Sequence, residues 1–178
     1  MNLIERVKGM LLSPKTEWPK VAAEPMTVQG IYTGWVMILA AISALAILIG
    51  TGSVSFAIVN YVILLLMTGI VALVVDVLAP RFGGTKDFVA ALKLSAFSYT
   101  AAFVAGVFQV LGIVGSMLML VAMFYAWYTF YLGAPVLKKS TPEKALVFTI
   151  AVVVIGFVLG MLFGLLAQGG GLAPRMMM

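Results

Sequence analysis

The chain of 178 residues contains no cysteine and no histidine. Without cysteine there are no disulfides, no thiolate metal sites, no lipobox acylation and no sulfur nucleophile. Without histidine, the commonest general base and the commonest metal ligand are both missing. Charge is scarce as well: Asp, Glu, Lys and Arg make up 10% of the chain, against roughly 25% in ordinary soluble domains. The formal net charge of +5 suggests no nucleic-acid partner, because no basic run exceeds the pair Lys138-Lys139. No carboxylate pair at helical spacing within a span and no glycine-rich phosphate loop after a strand is present. The sequence therefore predicts no catalytic residue, no metal and no cofactor, and an enzyme is the weakest reading.

What is abundant is apolar sequence. Hydrophobic residues are 63% of the chain and the mean hydropathy is +1.18, values that place it in the lipid bilayer. The expected fold class is all-α, a polytopic membrane helix bundle of five transmembrane helices with an amphipathic N-terminal cytoplasmic segment. Between Glu24 and Lys138 the only charged residues are Asp76, Arg81, Lys86, Asp87 and Lys93. The stretch that holds them divides the apolar sequence into two halves. Pro80 stops one helix and Gly83-Gly84 permits a tight turn. Thr85 is the expected N-cap of the next helix, with Asp87 in its first turn.

The spans are expected near 28–49, 55–78, 88–111, 115–132 and 143–167, each near or above the ~20 residues a bilayer core requires. Residues 94–132 carry no charge over 39 positions; one helix of that length would extend nearly 60 Å, about twice the hydrocarbon thickness. A turn at Gly112 and Gly115 resolves this. Gly133-Ala134-Pro135 with Lys138-Lys139 reads as a second polar loop, and 168–178 as a flexible tail. Residues 1–27 form the lead-in. Leu3, Ile4, Val7, Met10 and Leu11 recur at helical spacing opposite Glu5, Arg6 and Lys8, which suits either the membrane surface or the protein's own cytoplasmic face. Trp18 is expected at the headgroup level. Ten Lys and Arg fall on the side of the lead-in and the two charged loops, and only Arg175 on the other. The N-terminus is thus expected in the cytoplasm and the C-terminus outside.

Few residues are candidates for a site. Asp76 is the one ionisable residue inside the apolar part of a span, by default a proton or cation site. Its place near a helix end favours pairing with Lys93 or Arg81. Asn60 and Gln109 fall in the outer half of their spans, where a hydrogen bond between them would join helices. Gly156, Gly160 and Gly164 form a GxxxGxxxG stripe, and Gly30 with Gly34 a weaker pair, both suited to close helix packing. Leu3, Ile4, Trp18, Arg81 and Lys86 are the expected cytoplasmic interaction surface.

Three segments carry a resemblance to a known family: Leu11-Leu12-Ser13-Pro14-Lys15-Thr16-Glu17-Trp18-Pro19, Phe82-Gly83-Gly84-Thr85-Lys86-Asp87-Phe88, and Leu132-Gly133-Ala134-Pro135-Val136-Leu137. Together they resemble the Yip family of small five-span membrane proteins, named for interaction with Ypt/Rab GTPases. The short N-terminus is similar to bacterial members, which implies a bacterial inner membrane and no Rab binding. The resemblance implies fold and location but no catalytic residue. The leading function is a non-enzymatic organiser or adaptor that binds proteins or lipids at its cytoplasmic face, with the bilayer, protein partners or a second copy of itself as partners. The alternative is a small transporter, channel or lipid-handling protein with a path between the spans.

Overall fold

The structure, a computed structural model, describes residues 2–169. Arg175 and the tail beyond 169 lie outside the described residues, as do the surroundings of Gly164. Among the described residues the fold is all-helical, with five helices long and apolar enough to cross a membrane. Two short helices come first, α1 (Leu3–Leu12) and α2 (Pro14–Ala23). The spans follow: α3 (Val28–Thr51), α4 (Val54–Phe82), α5 (Phe88–Leu111), α6 (Ile113–Lys138) and α7 (Pro142–Gly169).

Local chemistry explains the boundaries. The Asn2 side chain caps α1 by accepting from Ile4 N, and Pro14 stands in the first turn of α2, where its missing N–H costs nothing. Gly52 and Gly83 end their helices in the left-handed conformation that glycine adopts freely. Asp87, not Thr85, caps α5: its Oδ1 accepts from Ala90 N at 3.0 Å. Thr85 instead donates its N–H to Lys138 O at 2.8 Å.

α5 is the centre of the bundle, 61% buried against 17–39% for the other spans. Its sequence allows this, because Ala90, Ala91, Ser95, Ala96, Ser98, Ala101 and Ala102 leave room on every side. Across the bundle small residues such as Ala40, Ala72, Ala126 and Ala134 lie inside. Large ones such as Leu73, Val121, Phe124 and Phe157 face outward. That inside-out pattern is how helices pack where lipid, not water, surrounds them.

Two expectations need correction. Of the two places open to the lead-in, the protein's own face is the one taken: α1 and α2 dock against the bundle, with Met10, Trp18 and Val21 fully buried. Trp18 is therefore core, not a headgroup anchor, and its Nε1 donates to Thr129 O at 3.0 Å. Nor does α6 stop near Leu132. It continues helically through Gly133-Ala134-Pro135 to Lys138. Gly133 is there for proximity: a Cβ on it would lie 2.5 Å from Trp18 Cε2 and 2.7 Å from Leu94 Cδ1. Gly133→Ala is expected to lower stability by about 1–3 kcal/mol, as overpacking does. A thermal midpoint in detergent equal to the parent's would refute that contact.

Candidate functional site

The polar groups of the bundle form two knots at one end and line one cavity further along. In the first knot, Asp76 Oδ1 accepts from Lys138 Nζ at 2.8 Å and from Asp87 N at 2.7 Å. Lys138 Nζ also donates to Asp87 O at 2.8 Å. Asp76 and Lys138 are buried, the lysine completely. The pairing of Asp76 with Lys93 or Arg81 is not what forms. Because α6 stays helical past Pro135, it brings Lys138 to the carboxylate, and the loop from Gly83 to Asp87 closes over the pair.

The second knot ties the lead-in down. Buried Arg6 pairs with Glu24 and approaches Glu17 at 3.7 Å. Its guanidinium stands 5.8 Å from the Phe97 ring centroid, within cation–π range. Lys93, buried in α5, donates its Nζ to Val21 O at 2.9 Å and Glu24 O at 2.5 Å. These carbonyls lie at the C-terminal end of α2, where a helix leaves acceptors unpaired and favours a cation. Lys93 is thus spent on docking α2. Sequence reasoning passed over Arg6, Glu17, Glu24 and Lys138 as site residues. For Lys138 the usable signal was its place one turn beyond the small apolar residues Ala134 and Pro135.

The surface residues divide. Ile4, Arg81 and Lys86 are exposed at the end that carries the knots, Leu3 is half-buried, and Trp18 is buried. Arg81 and Lys86 flank the loop that closes over Asp76.

Beyond the knots lies a cavity of about 550 Å³ walled mainly by α4, α5, α6 and α7, with Ser43 of α3 completing the lining, within the usual range of ligand pockets. Met67, Phe103, Met119, Met123 and Val153 supply its apolar wall. Asn60 and Gln109 both line it, but no hydrogen bond joins them among the described residues. The expected helix-to-helix amide bond is absent because the cavity stands between them. Gly156 and Gly160 line it too. They prolong the packed face of α7 formed by Ala145, Phe148, Thr149 and Val152. A Cβ on Gly156 would meet only Val71 Cγ2 at 3.9 Å, and one on Gly160 nothing within 4 Å. Gly156 and Gly160 therefore face open space among the described residues, not a close-packed helix. Gly34 likewise has nothing near it, and Gly30 meets only Thr27 of its own turn.

A family model described as the Yip1 domain matches residues 8–163. The chain belongs to the Yip1 domain family. No curated protein and no solved structure matches it. The Yip1 match begins inside α1 and runs into the last third of α7, so the first knot, the cavity and every member of the second knot except Arg6 lie within it. The second half of α1 and all of α2 thus fall within the matched residues.

Proposed function

We propose that this Yip1-domain protein is a non-enzymatic membrane organiser that offers a rigid basic platform at its cytoplasmic end to acidic partner proteins or anionic headgroups. The observation that supports the reading is how the cations are divided. Of the ten Lys and Arg among the described residues, Arg6, Lys93 and Lys138 are buried in internal bonds. The other seven, Lys8, Lys15, Lys20, Arg81, Lys86, Lys139 and Lys144, are exposed. All belong to the lead-in and the two loops that the knots fasten together. A surface fixed in this way loses little conformational entropy on binding. By the charge rule that end faces the cytoplasm.

A path for solutes has less support. On the platform side of the cavity the side chains of Val75, Leu92, Phe130 and Phe148 are at most 3% exposed, and the Asp76–Lys138 pair lies nearby on the same helices.

The test places a photo-crosslinking residue at Lys86 or Lys139 in cells. Discrete adducts are expected, and they should weaken when Lys15, Arg81 and Lys144 are changed to Glu. Cysteine at Lys86 should resist an impermeant thiol reagent applied from outside. Labelling from outside, or adducts indifferent to charge reversal, would overturn the reading.

A further inference from the structure

The cavity has features that packing does not require. Along α4 it extends from Asn60 to Val71, roughly 16 Å at the helical rise. No charged residue lines it. Its inner end is closed by Ser95, Tyr99 and Trp127. There the Ser95 hydroxyl is fully buried and has no hydrogen-bond partner. A serine in a helix can satisfy its hydroxyl on a carbonyl of the preceding turn, as Thr68 does on Leu64 O at 2.8 Å. Ser95 does not.

The side of the cavity is open. Phe157 and Met161 line it and are 70% and 59% exposed on the bundle's periphery, which in a membrane is lipid. Gly156 and Gly160 keep the gap beside them clear. Methionines at 67, 119, 123 and 161 form a flexible apolar wall of the kind that adapts to irregular shapes. The far end adjoins a smaller hollow at the α5–α6 turn, which shares Gln109, Met119 and Met123.

We propose that this cavity binds one uncharged, long-chain lipid bearing a carbonyl head. The carbonyl oxygen accepts from Ser95 Oγ beside Tyr99 and Trp127. The chain runs past the methionines and leaves sideways between Gly160 and Phe157 into the bilayer. A charged headgroup is disfavoured, since nothing in the lining would compensate its desolvation. A carbonyl head answers Ser95, the one buried donor left unpaired in the lining among the described residues.

The full-length protein is reconstituted in phosphatidylethanolamine and phosphatidylglycerol vesicles. One arm adds an isoprenoid quinone and the other dioleoylglycerol. After extraction into mild detergent, native mass spectrometry reads the retained adduct. One neutral lipid per chain is expected, and its mass identifies which source supplies it. Ser95→Ala should reduce retention about fivefold, the worth of one neutral hydrogen bond, without lowering the thermal midpoint. Gly160→Leu should reduce it at least about tenfold by filling the gap. Absence of an adduct, retention of phospholipid alone, or undiminished retention in Gly160→Leu would each overturn the proposal. So would a dimer free of neutral lipid that Gly160→Leu dissociates, since a second copy would then occupy the gap. Should Gly160→Leu fail to fold, Ser95→Ala still decides, because it deletes only an unpartnered hydroxyl.

Discussion

Trp18→Ala should lower the stability of the detergent-solubilised protein by about 3–5 kcal/mol, the cost of emptying a large buried site. The indole is fully buried, fits against Gly133 and Leu94, and donates its N–H to Thr129 O. Removing it opens a cavity and strands nothing but a helix carbonyl, so the loss comes mainly from packing. Trp18→Phe should recover much of that loss, since an aromatic ring is restored without the N–H. Thermal unfolding followed by intrinsic fluorescence, with Trp35 and Trp127 as reporters, gives the comparison. A Trp18→Ala protein as stable as the parent would show that α2 is merely apposed to the bundle.

Breaking the Asp76–Lys138 pair from one side should cost as much. Lys138→Met leaves a buried carboxylate without its cation, and Asp76→Asn leaves a buried ammonium without its anion; losses of about 3–5 kcal/mol are typical. The double variant Asp76→Asn with Lys138→Met removes both charges together and should recover a large part of either loss. Asp76→Asn combined with Lys93→Met should instead be nearly additive, because Lys93 bonds to α2 carbonyls. Coupling near zero at 76/138, or strong coupling at 76/93, would show that the carboxylate has a different partner.

The same residues show how far the amino-acid order reaches. Five spans and the charged pivot were legible because apolar length and charge placement act locally. The Asp76–Lys138 pair was not, since it depends on α6 remaining helical through Gly133 and Pro135, two residues that ordinarily signal an end. The glycine was required by a tryptophan far away in the chain, and no local rule carries that information. Trp18 was placed at the headgroups for the same reason: aromatic amphipathicity is visible in sequence, but a partner carbonyl 111 positions away is not. The small-residue stripe of α7 was legible as a pattern and misleading as a contact. Glycine spacing permits close approach without ensuring that a helix takes the place. The cavity was illegible because its walls come from all five spans, each unremarkable alone.

The separation between Trp18 and Thr129 also bears on how the protein is made. At ordinary translation rates the ribosome needs roughly 6–22 s to synthesise the intervening 111 residues. Through that interval Met10, Trp18 and Val21 have no partner on α6, and Arg6 waits for Phe97. The lead-in, made before any of the five spans, is thus among the last segments to reach its final place, and it seals the bundle only after the fourth span has entered the membrane.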